Sequence, residues 1–317
     1  MPADLSARRS APAGDCSPLV ITGAPRSGTS LIYNLFDGHP EVNWLVDEGF
    51  LFEYLDDMGP AGADLFLDAI PVDLNALVAG LRDKQVMPPV ERPYRQSRDR
   101  GSVSDVEIQA DWDEECFIAS LAQPARGGVC GLWLRLAHAY LAGMRQDPRR
   151  YCCLKAPDYG KSAASALASI PDARAIVIVR DPISSLDSLK RSRELRGEKL
   201  LTWPLLAQNV RNFQRLLDRI DTADPDRTRV VRYESLVAEP EPTMRALADW
   251  LEIAFDPCLL QPTMRGQHWP GISSFKATDG IETSAARRPV LSLDEAEVDL
   301  VTRHLAGFRM RFGYGPT

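Results

Sequence analysis

The run from Gly23 to Ser30, G-A-P-R-S-G-T-S, keeps the frame of a nucleotide-phosphate loop, G-x-x-x-x-G-K-[ST], but carries Thr29 where that loop has lysine. The lysine of such loops works on the β- and γ-phosphates and the Ser/Thr on magnesium, so its loss argues against ordinary ATP or GTP hydrolysis. The cation here is Arg26. Backbone N–H groups at a helix N-terminus, with the hydroxyls of Ser27, Thr29 and Ser30, suit an anionic group that needs no bridging metal. A second constellation follows the apolar run I-V-I-V-R-D-P, Ile176 to Pro182, with Ser188 eight residues after Arg180. Ligands of open α/β sheets bind outside the carboxyl ends of the strands, so Arg180 and Ser188 are placed for a second phosphate of the same nucleotide. An Arg180 that merely pairs with a helix carboxylate is the plainer alternative.

Such residues need strand ends to carry them, and the apolar patterning supplies these. Strands are predicted over 19–23, 151–155, 173–180 and 229–233, and helices from Ser30 to Phe36 and over 162–170, 182–195, 203–220, 241–251 and 293–308. Alternation of strand and helix predicts an α/β fold, a P-loop-like parallel sheet flanked by helices on both faces. Residues 82–104, with six Lys+Arg against three Asp+Glu and several prolines, read as a long surface loop, an acceptor-facing flap or a disordered stretch. Residues 1–17 read as a flexible tail without a hydrophobic leader core, and 18–317 as a single domain.

The 317 residues carry 37 Lys+Arg and 44 Asp+Glu, a net charge of −7, with 44% hydrophobic residues. That acidic balance argues against a protein whose work is gripping nucleic acid or an anionic membrane. No apolar run reaches the roughly 18 residues that a membrane span needs, and a cytoplasmic location is the default expectation. The six cysteines show no C-x-x-C pair and the histidines no metal-ligand spacing, which predicts reduced, mostly buried thiols and no metal. Oligomeric state is not encoded in any motif, and a homodimer stays open.

At these motifs the chain resembles the sulfotransferases that use 3′-phosphoadenosine 5′-phosphosulfate. R-S-G-T-S from Arg26 to Ser30 resembles the family's 5′-phosphosulfate loop, and Arg180 with Ser188 its 3′-phosphate motif. Later segments agree: R-Y-E-S-L from Arg232, S-S-F from Ser273 and F-G-Y from Phe312 resemble its later parts, so the likeness spans roughly residues 18–314. G-A-P-R-S-G-T and the H-P-E-V run from His39 are most similar to the bacterial and protein-tyrosine sulfotransferase branch.

The resemblance implies the donor as co-substrate, 3′-phosphoadenosine 5′-phosphate as product, and sulfuryl transfer to a hydroxyl, less readily an amine, of a small-molecule, carbohydrate or peptide acceptor. Relatives place a catalytic glutamate after W-L-V, Trp44 to Val46; with one inserted residue it falls on Glu48, without it on Asp47. Lys155, before A-P-D, resembles the lysine of a K-x-P segment and would join Arg26 at the leaving oxygen, while Tyr233 would contact the nucleotide or pack on the sheet. His39, at a helix end before proline, reads as a cap and otherwise as a reserve base; His138 reads as a core or groove residue. Two competing readings are a magnesium-dependent small-molecule kinase with a degenerate phosphate loop, opposed by Thr29, and a nucleotide-binding module without catalysis. The net charge weakly favours a neutral or cationic acceptor, unless the basic stretch of residues 82–100 reverses the sign locally.

Overall fold

The computed structural model describes residues 16–45, 63–64, 68, 113–123, 127–195, 197, 201–269, 280–282 and 292–315. Five strands, β1 (Ser17–Gly23), β2 (Val42–Trp44), β3 (Tyr151–Ala156), β4 (Arg174–Val179) and β5 (Thr228–Arg232), form one parallel sheet in the order β2-β3-β1-β4-β5. Its central strands are the continuous apolar runs seen in the sequence. Leu19, Val20 and Ile21 of β1 are all fully buried because both faces of the sheet are covered. Strand alternation sends Leu19 and Ile21 to one apolar cluster and Val20 to another.

On one face lie α1 (Thr29–Leu35), α7 (Tyr233–Ala238) and α8 (Pro240–Leu251). The other carries α2 (Glu114–Leu121), α3 (Gly128–Gly143), α4 (Lys161–Ser169), α5 (Pro182–Leu195), α6 (Trp203–Thr222), α9 (Glu295–His304) and α10 (Ala306–Arg311). The edge strand β5 is only partly buried, as its charged alternation requires. A short antiparallel pair, β6 (Thr263–Met264) with β7 (Gln267–His268), packs near α1.

After β1 the chain builds β2 and β3 on one side and then returns to build β4 and β5 on the other. The order therefore reverses beside β1, and the carboxyl ends of β1 and β4 flank the crevice in which ligands of open α/β sheets bind. Gly23 stands opposite Ile178 in this register.

Three expectations change in detail. The short strand β2 was not foreseen: it has three residues, and its middle one is the polar Asn43. That side chain is consumed structurally, accepting the Arg149 N–H at 2.7 Å and donating to the Asp147 carbonyl at 3.0 Å. Tyr233 does not end β5 but opens α7. The helix expected over 293–308 is two helices that meet at Leu305, with the second turned so that Phe308 packs on Phe213 and Phe312. Residues 82–104, the Asp47/Glu48 pair and the S-S-F segment lie outside the described residues. No helix among the described residues is long and apolar enough to cross a membrane.

Candidate functional site

The loop between β1 and α1 is shaped by its own small residues. Ser27 closes it, since both its N–H and its hydroxyl donate to the Ala24 carbonyl, at 3.1 and 2.7 Å. Its hydroxyl thereby braces the loop from within. Arg26 adopts a left-handed backbone conformation, φ 67°, a strained state for a residue with a β-carbon that clusters at functional sites. A β-carbon at Gly23 would stand 2.3 Å from the Ile178 carbonyl oxygen, so only glycine lets β1 and β4 meet there.

Arg26, Lys155 and Arg180 converge on this loop from three different strand ends. Arg26 Nε donates to Ser188 Oγ at 3.3 Å, which joins the loop to the second turn of α5. Arg180 Nη1 donates to the Arg26 carbonyl at 3.1 Å, and its guanidinium lies 4.5 Å from the centre of the Tyr233 ring. From the opposite side Lys155, only 5% exposed, donates to Ser30 Oγ at 3.0 Å. Tyr233 is packed beneath the loop, so close that a β-carbon at Gly28 would lie 2.4 Å from its Cδ2. Arg26, Gly28, Ser30, Lys155, Arg180, Ser188 and Tyr233 are thus gathered around one loop; Glu48 and Asp47 lie outside the described residues.

His39 is fully buried, its Nδ1 accepts the Glu41 N–H at 3.1 Å, and its Nε2 donates to the Ala254 carbonyl at 2.9 Å. Both ring nitrogens are consumed in holding the end of α1 to the segment after α8. His138 sits beside Cys16, whose thiol is held down to about 6, first by Cys152 and then by His138 against the opposing effect of burial. None of the six cysteines is in a disulfide; three are buried, and Cys116 is exposed. Among the described residues no group of three or more His, Cys, Asp or Glu is placed to hold a metal.

Two supporting networks escaped the sequence reading. Asp158 accepts the Thr22 hydroxyl at 3.1 Å, the Gly160 N–H at 3.1 Å, the Ser162 N–H at 2.7 Å and the Ser162 hydroxyl. One carboxylate therefore fixes the chain as it leaves Lys155 and starts α4, and the signal for it was the serine four residues on, in the first turn of a helix. The second network explains the late motifs. Glu234 accepts the Tyr314 hydroxyl at 3.0 Å and the Asp181 N–H at 3.3 Å, while Arg309 lies 3.5 Å from Asp181. Burial pushes the Asp181 carboxyl up, opposed by the Ile183 N–H and by Arg309 and Arg180. Burial, with Glu234 beside it, likewise pushes the Tyr314 hydroxyl up. The R-Y-E and F-G-Y segments thus meet behind Arg180 and hold the end of β4 in place.

The chain carries a parallel sheet with this loop at its switch point and threonine in the lysine position. The family model described as "Sulfotransferase family" matches residues 18–257. The chain belongs to the sulfotransferase family. Two solved structures share the fold: the sulfotransferase domain from the curacin biosynthetic pathway (17% identity, TM-score 0.51, 92% of this chain and 98% of that chain) and the sulfotransferase domain from the Synechococcus PCC 7002 olefin synthase (18% identity, TM-score 0.52, 93% and 97%). No curated protein matches the chain. Family and fold assign sulfuryl transfer as the general chemistry of this sulfotransferase.

Proposed function

We propose that this sulfotransferase moves a sulfuryl group from 3′-phosphoadenosine 5′-phosphosulfate to a hydroxyl, less readily an amine, of a small-molecule, carbohydrate or peptide acceptor. The observation that supports this reading is the convergence of Arg26, Lys155 and Arg180 on one loop that lacks the triphosphatase lysine. Residues 26–30 take the 5′-phosphosulfate, Arg180 and Ser188 the 3′-phosphate, and Tyr233 carries the Arg180 guanidinium and borders the nucleotide. The catalytic unit runs over 18–317.

In the reaction the acceptor O–H loses its proton to a base as its oxygen bonds to sulfur. The sulfur–oxygen bond to the 5′-phosphate breaks, and the electron pair leaves with 3′-phosphoadenosine 5′-phosphate. Charge gathers on that leaving oxygen, where Lys155 and Arg26 stabilise it; positioning and electrostatics dominate such loose transition states. The resemblance to other sulfotransferases puts the base at the carboxylate of Glu48, or of Asp47 if the insertion is absent, and His39, with both ring nitrogens engaged, acts as a cap. A positioned base contributes roughly 10²- to 10⁴-fold.

Titration calorimetry with 3′-phosphoadenosine 5′-phosphate in the absence of magnesium tests the donor. Binding supports the reading, whereas magnesium-dependent binding of ATP alone would favour the kinase. Glu48→Gln lowers transfer of the radiolabelled sulfuryl group by about 10²-fold or more; wild-type rates in that variant move the base to Asp47 or His39.

A further inference from the structure

Between α4 and α6, at the seam where two apolar clusters meet over β4 and β5, lies a cavity of about 260 Å³. The small side chains of α4 leave it open: Ala163, Ala164 and Ala168 form one wall, and Leu216 and Ile220 of α6 the other. Neither Arg26, Lys155, Arg180 nor Ser188 lines it, so it is separate from the loop described above.

Most polar groups around it are committed elsewhere. Arg227 donates to the Leu167, Ile170 and Ala173 carbonyls, at 2.9, 2.6 and 3.1 Å. Arg219 donates to the Tyr159 carbonyl at 2.9 Å, and the Thr222 hydroxyl to the Asp218 carbonyl at 2.8 Å. Both guanidiniums are turned to main-chain oxygens and away from the role of a carboxylate receptor. Thr228 is the exception: it lines the cavity, and its hydroxyl oxygen is buried without a hydrogen-bond partner. A buried hydroxyl left unpaired carries a desolvation cost that a ligand with one matching group removes.

Volume sets the size of that ligand. An aliphatic cavity of about 150 Å³ stays dry and takes a benzene, so the space here suits two fused rings. We propose that the α4–α6 cavity is a binding site for a neutral bicyclic aromatic molecule carrying one N–H or O–H group, which pairs with Thr228. Gly160 in its wall is two residues from Asp158, so an occupant lies against the segment that leaves Lys155.

Indole and 1-methylindole are the probes, titrated calorimetrically into the full chain. Wild-type protein binds indole saturably at one site, and Arg180→Ala binds it equally well, which separates this site from that of the donor. Thr228→Val keeps the shape and removes the hydroxyl; it weakens indole by about 2- to 12-fold, the loss of one hydrogen bond, and leaves 1-methylindole unchanged. Ala164→Trp with Ala168→Leu, both at exposed positions on the rim, abolishes binding of both probes. Absence of saturable binding to the wild type, or undiminished binding to the Ala164→Trp/Ala168→Leu protein, overturns the proposal.

Discussion

Lys155 and Ser30 are joined by a 3.0 Å hydrogen bond that runs from the carboxyl end of β3 to the first turn of α1. A lysine 5% exposed is held in one position by this bond and by the walls around it, and a fixed cation is what a developing charge on a leaving oxygen requires. Lys155→Ala is therefore expected to lower kcat by about 10²- to 10³-fold, with a smaller change in donor KM. Steady-state kinetics with the 5′-phosphosulfate donor check this. A change in KM alone would make Lys155 a binding residue and remove it from the leaving oxygen.

Arg180 is expected to read the 3′-phosphate specifically. Its guanidinium reaches the phosphate loop through the Arg26 carbonyl and rests on Tyr233, so it is positioned before any ligand arrives. Charge-assisted hydrogen bonds of this kind contribute about 1.5–3 kcal/mol, so Arg180→Ala should weaken 3′-phosphoadenosine 5′-phosphate by roughly 10- to 150-fold. Adenosine 5′-phosphosulfate, which lacks the 3′-phosphate, should lose far less. Equal losses for the two ligands would show that Arg180 supports the loop without contacting that phosphate.

The sheet was legible because buried parallel strands write themselves as unbroken apolar runs, as in Leu19, Val20 and Ile21, or in the run from Ile176 to Val179. The phosphate loop was legible because its glycines answer to geometry that no other residue satisfies. What stayed hidden were contacts between segments far apart in sequence. Nothing local in Glu234 announces that it holds Tyr314, 80 residues on, nor does Asp158 announce its bond to Thr22. The inward turn of Ser27 is similar: its composition offers a hydroxyl, and only the folded loop shows that Ala24 takes it.

Gly28 is the point where the loop's conformation and its packing are tested together. Its backbone is left-handed, φ 102°, and a β-carbon there would stand 2.4 Å from Tyr233 Cδ2. Left-handed strain of about 1–2 kcal/mol and overpacking of about 1–3 kcal/mol lead us to expect Gly28→Ala to lose roughly 2–5 kcal/mol in denaturant unfolding. Adding Tyr233→Ala opens the space but leaves the backbone strain, so the double variant should recover the packing part relative to Tyr233→Ala alone. Full recovery would mean that the backbone conformation costs nothing; no recovery would mean that Tyr233 was never in the way.

Asp113 is a carboxylate that folding depresses through two named partners. It caps α2 by accepting the Cys116 N–H at 2.9 Å and pairs with Arg145, just beyond α3, at 3.0 Å; its own N–H donates to the Gly143 carbonyl at 2.7 Å. The cap first and Arg145 second hold its carboxyl down to about 2, below the ordinary value of about 3.9. A carboxylate depressed by folding stabilises the native state fully above its unfolded pKa, and that contribution disappears as pH falls through the folded value. The difference in denaturant midpoint between wild type and Asp113→Ala should thus be flat from pH 7 to about 5 and shrink between about 4 and 2. Arg145→Gln, which leaves the cap in place, should raise the lower edge of this window and leave its upper edge, set by the unfolded chain, where it is. A midpoint difference that persists undiminished at pH 2 would show that the Asp113 contribution does not depend on its charge, and that packing alone clamps α2 to α3.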